Sequence, residues 1–223
     1  MSRMHEVLRL EDYKLEELLR STRGQAERGG ERDVTWKQLA QYAASHCLNE
    51  FYALPIEART EQSITAIIER RWSNRYYKFH SNEHYLQMKQ KVISHLTAYL
   101  TGEYRTCEPI VRFEQLSAYV PSIDMELSQI FQLIIEDVSA VNGYTVQKYV
   151  IDENEAAVST FFHMTTVFCA HAFEVLPVTI EVLSLLSGKR FVCYPDELTL
   201  LQSLDYMRLA KSLLPLPSVE LVN

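Results

Sequence analysis

Two histidines four residues apart, His80 and His84, with Glu83 between them, come nearest in this sequence to a metal-binding motif. A helix carrying both would turn their rings to one side, as paired histidines do when they hold zinc. The run His-Ser-Asn-Glu-His lacks the glutamate placement of His-Glu-x-x-His, and it straddles a helix start expected at Asn82. The two rings are therefore expected on different sides, and no metal is assigned there. His163 and His171 stand eight residues apart on an apolar stretch, which is two turns and too far for two ligands of one ion. Both read as core or interface histidines.

Carboxylates offer a second chemistry. Glu114, Glu136 and Asp137, with Asp152, Glu153 and Glu155, flank a group of extended segments. Gathered at adjacent strand ends, two or three of them could bind a hard cation such as Mg²⁺. The competing reading is a solvated rim, because acids beside Asn142-Gly143 and around Asn154 serve turns and solubility. A third possibility is contact with nucleic acid. Arg70, Arg71, Arg75 and Lys78 interleave with Trp72, Tyr76 and Tyr77, a pattern in which cations meet phosphates and rings stack on bases. It competes with a solvated helix end whose aromatic residues pack into the core. Gly188-Lys189 lacks the remaining residues of a phosphate loop, and the serines, cysteines and histidines define no nucleophile with its base.

The elements that must position these residues belong to a chain of ordinary globular composition. It has 223 residues, 47% hydrophobic and 23% charged, long enough for a full core. Its 22 basic and 29 acidic residues leave a net charge of -7, which argues against a wide basic surface and restricts nucleic-acid binding to a local patch. Cys47, Cys107, Cys169 and Cys193 are far apart in apolar surroundings, the usage of a reducing compartment, and read as inert buried thiols. No apolar run reaches the ~18 residues of a spanning helix. A cytoplasmic protein without a membrane segment is expected.

Apolar spacing predicts a helix over 6–19, then a mobile glycine-rich loop over 21–33. Further helices are expected over 35–52 with Thr35 as N-cap, 60–72 and 82–100. After Pro109 the period becomes extended, with strands over 110–120, 125–138 and 144–151 and a hairpin turn at Asn142-Gly143. A helix over 155–173, strands over 178–186 and 190–194, and a closing helix over 196–214 complete the chain. The reading is one α+β domain over 1–223. Residues 1–35 hold the first helix and loop, 36–104 a helical part, 105–214 the sheet and flanking helices, and 215–223 a tail.

This order of helices, three meandering strands, apolar helix, strand and final helix resembles the PD-(D/E)XK superfamily, in its RecB- and AddB-type nuclease domains, over roughly residues 36–214. The resemblance implies a restriction-endonuclease-like fold, with a helical N-terminal half packed on a central mixed sheet and a flanking helix. It also implies a metal site: a histidine on an N-terminal helix, an aspartate on the second strand, an acid followed by a lysine on the third, and a Gln-x-x-x-Tyr helix. Carried onto this sequence, His46 stands at the histidine, Phe131 at the aspartate, Lys148 at the acid and Val150 at the lysine. His163 and Val167 stand at the last pair. Neither an alkyl group nor a cation binds Mg²⁺.

The resemblance therefore implies a non-catalytic domain, kept as an interaction or scaffold module with a protein partner, in a complex that handles nucleic acid. Under it, His46 should line a vestigial pocket with Phe131 and Lys148. Two alternatives stay open: an active Mg²⁺-dependent nuclease whose carboxylates have migrated to Glu114, Glu136 or Asp137, and an unrelated α+β regulatory or ligand-binding protein.

Overall fold

A computed structural model describes residues 7–15, 34–102 and 104–214. The N-terminal helical part begins with α1 (Trp36–Ala53), where Thr35 and Gln38 cap each other reciprocally and satisfy amide groups that a helix start leaves open. Helices α2 (Glu61–Arg71) and α3 (Asn82–Leu100) are capped by Thr60 and Ser81. Their buried faces, Ala43, Cys47, Leu48 and Phe51 of α1, Ile64 and Ile68 of α2, and Val92 and Leu96 of α3, form one core cluster. Arg59, 2% exposed, closes this layer. Its guanidinium donates to the carbonyls of Tyr52, Leu54, Arg105 and Cys107 and pairs with Glu108. A buried charge persists when its donors are used in this way.

The sheet follows. Strands β2 (Pro109–Val120), β3 (Met125–Glu136) and β4 (Tyr144–Val150) run antiparallel in succession. Helix α4 (Glu155–Ala172) crosses over to β5 (Thr179–Ser184), which lies parallel to β4, and β6 (Arg190–Cys193) pairs antiparallel with β5. Helix α5 (Glu197–Leu213), capped by Asp196, packs on α4. The helical layer lies on one side of the sheet, and α4 and α5 on the other. Leu133, Ile135, Tyr149 and Leu183 join the first core, while Phe131, Ile134, Val146, Ile180 and Val182 join a second core with Phe161, Met164 and Phe168 of α4. The chain is α+β, as its sequence implies.

Two details depart from the sequence reading. Leu8–Glu11 is a strand, β1, paired parallel with Met125–Ser128 of β3, and residues 12–15 are helical. Leu10 is fully buried in this pairing, and a distant partner strand has overridden a helical period. The loop over 21–33 and the tail lie outside the described residues. Asn142-Gly143 closes a longer connection, in which the backbone N–H of Asp137 donates to the Gly143 carbonyl at 2.8 Å. A Cβ at Gly143 would stand 2.7 Å from the Asp137 carbonyl, so glycine is there for close approach of backbone to backbone.

Candidate functional site

The chemistry-bearing part of the sheet lies where β3 and β4 separate. Their pairing runs from Glu136↔Tyr144 to Leu133↔Gln147 and stops, although β4 continues to Val150. The neighbouring strand is irregular at the same level: Phe113 of β2, unpaired between Arg112↔Leu133 and Glu114↔Phe131, has φ 51, a left-handed conformation rarely adopted by a bulky residue. At this kink the alternation of β3 slips, since Phe131 belongs to the second core and Leu133 to the first. Irregularities of this kind re-aim side chains and end pairing.

Side chains close the gap. Tyr149 donates its backbone N–H to Gln132 Oε1 at 2.7 Å, and its carbonyl accepts from Gln41 Nε2 of α1 at 2.9 Å and Gln132 Nε2 at 3.3 Å. Ile151 donates its N–H to Gln41 Oε1 at 2.9 Å. Beside this seam, on the α1 side of the sheet, Gln147 donates to Glu181 Oε2 of β5 at 2.9 Å and accepts from the Tyr149 hydroxyl at 3.1 Å. Tyr104 donates to Glu181 at 3.1 Å, and Arg190 of β6 pairs with the same carboxylate. Gln147 and Tyr149 are fully buried and Glu181 nearly so. Burial raises the Tyr149 phenol well above its ordinary value, so it remains a neutral donor.

Chemically the cluster is saturated. The side-chain oxygens of Gln41, Gln132 and Gln147 each accept a hydrogen bond, and Glu181 is held by an amide, a phenol and a guanidinium. Amide oxygens engaged in this way do not form a coordination sphere for Mg²⁺, which needs free oxygen ligands in near-octahedral array. Among the described residues no group of three or more His, Cys, Asp or Glu is placed to hold a metal.

The residues singled out in the sequence are distributed differently from the pocket expected there. Phe131 packs its ring at a tilt against Phe168, centroids 5.0 Å apart, and Lys148 holds its ammonium 4.6 Å over the Phe161 ring. Val150 also packs on the α4 side. His46, half-buried on α1, meets Tyr42 at 4.3 Å, and α1 packs into the opposite core. The expected grouping of His46, Phe131 and Lys148 is corrected by these contacts, because successive strand residues face opposite sides and a one-residue shift moves every side chain across the sheet. The β4 residues that share a side with α1 are Gln147 and Tyr149.

The acids are not gathered. Glu114 is exposed opposite Phe131, Glu136 is exposed opposite Tyr144, and Asp137 accepts from the hydroxyl and backbone N–H of Ser139, which lowers its pKa below the usual carboxylate value. Asp152 pairs with Lys37 at 2.6 Å, and Glu153 with the Ser184 hydroxyl and Lys189. Glu136 and Asp137 lie at one end of the seven-residue β4 and Asp152 and Glu153 at the other, ~20 Å apart by strand rise.

Arg70 and Arg71 both pair with Glu50. Arg75 is exposed, as are Tyr76 and Tyr77, and Lys78 lies 5.7 Å from the Tyr77 ring. Of the interleaved aromatic residues only Trp72 is in the core. His80 and His84 do come together, rings 4.7 Å apart with His84 edge-on to Trp36 at 4.9 Å. Packing on Trp36 achieves what the helix start alone does not. His163 bonds the Ser203 hydroxyl at 3.0 Å and stacks on Tyr206, and burial lowers its basicity. Among the described residues no thiol is in a disulfide. Burial pushes the thiols of Cys47 and Cys169 up to about 12, so both are inert at neutral pH. Cys107 and Cys193 are only half-buried.

The residues that form the cluster went unnoticed in the sequence. Their signal was available: Gln132, Gln147 and Glu181 are polar residues set among apolar neighbours inside strand runs, where a lone polar side chain must find a buried partner.

No family model matches this chain. No curated protein matches it either. Among solved structures, the crystal structure of SSO0001 is similar over 92% of this chain and 87% of its own, at 11% identity and a TM-score of 0.30. A likeness that weak carries no argument about fold or function.

Proposed function

We propose that this chain is a PD-(D/E)XK-like domain whose nuclease site has been filled by neutral side chains, and that it serves as an interaction module in a complex that handles nucleic acid. The reading is supported by the antiparallel β2-β3-β4 meander and the α4 crossover to a parallel β5. The observation that carries it is the saturated cluster on the α1 side of the sheet. With the register shifted by one residue, Gln147 and Tyr149 stand where the resembled families have an acid and a lysine, and Gln132 lies beside them. The one carboxylate buried among the described residues, Glu181, is already paired with Arg190. Contact with nucleic acid falls to the exposed Arg75, Tyr76 and Tyr77 and the half-buried Lys78 beside them.

The test is incubation of the purified protein with single- and double-stranded DNA in Mg²⁺ or Mn²⁺, with Mn²⁺ binding followed by calorimetry. No cleavage and no stoichiometric Mn²⁺ binding are expected. Metal-dependent cleavage that disappears in Glu114→Ala or Asp137→Ala would overturn the reading in favour of a nuclease with migrated carboxylates.

A further inference from the structure

His80 and His84 stand on either side of a helix cap. Ser81 is the N-cap of α3, its hydroxyl accepting from the His84 backbone N–H at 3.0 Å, so His80 is the residue just before the cap and His84 the third inside it. A side chain before the cap folds back over the first turn when it finds a surface to pack on. Here that surface is Trp36 of α1, whose ring centroid lies 6.3 Å from that of His80 and 4.9 Å from that of His84. The pair is thus held by two helices, and its spacing in the sequence records only one of them. His80 is exposed and His84 half-buried, so solvent reaches the pair.

The His84 ring is not fully satisfied. Its Nδ1 is buried without a hydrogen-bond partner, and the rings against it are Trp36, Phe79 and His80. Phe79 has no polar atom and the Trp36 indole has only an N–H to donate, whereas an imidazole offers a lone pair. Among the described residues the His80 ring makes no hydrogen bond of its own. A buried polar atom without a partner calls for a bound water or ion. The spacing fits an ion: two imidazole nitrogens each about 2.1 Å from one centre, at ordinary coordination angles, set their rings roughly 5 Å apart. These centroids are 4.7 Å apart, with the planes at 53°. Glu83 in the first turn favours a cation there, while the positive helix end and Lys91, whose field reaches His84, oppose one. Charge alone therefore does not hold the ion. Bonding to imidazole does, and among divalent ions that selects zinc, nickel and copper over magnesium and manganese.

We infer that His80 and His84 form a two-histidine site for a transition-metal ion of the zinc, nickel and copper group, with water completing the coordination sphere. The site belongs to the helical layer and holds whatever the chemistry of the sheet. Manganese, at the weak end of the imidazole series, does not report on it, so the nuclease test and this one fail separately. Calorimetric titration of the full chain with Ni²⁺ should show a single ion bound per chain, and Mn²⁺ should show none. A lost ligand should cost at least what a lost outer-shell partner does, so His80→Asn and His84→Asn should each weaken Ni²⁺ binding by roughly tenfold or more. His46→Asn and His163→Asn should leave it unchanged. Because His84→Asn also disturbs packing on Trp36, the exposed His80→Asn is the decisive variant: without metal it should melt with the parent, and it should lose the rise in melting temperature that Ni²⁺ gives the parent. No Ni²⁺ binding, or binding that survives His80→Asn undiminished, would overturn the inference.

Discussion

The two sides of the sheet are equally dry and differently built. Towards α4, β3 to β5 present Phe131, Val146, Ile180 and Val182 to phenylalanines, and Gln129, bonded to Thr165, and Lys148, over the Phe161 ring, interrupt the apolar contact. Towards α1, beside the opening of the strands, Gln132, Gln147, Tyr149 and Glu181 are joined to one another and to Gln41, Tyr104 and Arg190. Apolar contact is tolerant of exchange if volume is kept. A buried polar network is not, since each member left unsatisfied costs the full desolvation of its group. The α1 side therefore specifies its residues one by one, and that specification is what removes the free oxygens a metal would need.

The largest effect expected from breaking this contrast is on the apolar side. Phe131→Ala should cost ~3–5 kcal/mol by removing a ring wedged against Phe168 and Phe173, measured by denaturant unfolding; Phe131→Leu should recover most of it. Next comes Arg190→Ala, which leaves the Glu181 carboxylate, 1% exposed, with Gln147 and Tyr104 but no cation. Because the Arg190 side chain is itself 46% exposed, the loss should be about 2 kcal/mol, below the full cost of breaking a buried pair. Adding Glu181→Gln should recover part of that loss by removing the orphaned charge; equal loss in both variants would show that packing and not charge holds Arg190.

The smallest effect is a pH dependence. Burial holds the His163 imidazole below its usual 6.5, so the unfolded chain takes up a proton before the folded chain does. Stability then falls as pH drops below about 6.5 and rises again with pH through that window. His84 contributes with the same sign, through burial and the neighbouring His80. Thermal melts should show a shallower slope below pH 6.5 in His163→Gln than in the parent; an unchanged slope would remove His163 from the account.

Much of the scaffold was legible because period and caps agree. Thr35 and Asp196 cap helices where their spacing places them, and β2, β3 and β4 begin within a residue of the change in period. Leu8–Glu11 was misread because four residues fit two periods, and the partner that decides between them lies 117 positions away at Leu8↔Met125. The site was misread for a related reason. Carrying a family pattern onto β4 requires a register, and nothing local to Gln147, Lys148 and Tyr149 says which of them faces α1. That depends on how β4 pairs with β3 beside the kink at Phe113 and Gln132, and no pattern in a single strand records it.

The same separation bears on how the molecule assembles. Strand β1 occupies the edge of β3 at Met125–Ser128, next to the stretch that β4 takes at Leu133–Glu136. The meander can close through short connections, whereas β1 must wait for a loop of more than 100 residues to be drawn in, a contact whose entropic cost precedes any return. Until it arrives, β3 carries an open row of amide and carbonyl groups in the middle of the sheet. In that interval a nascent chain, or one cut between β1 and α1, offers a docking edge to any extended peptide, its own β1 included.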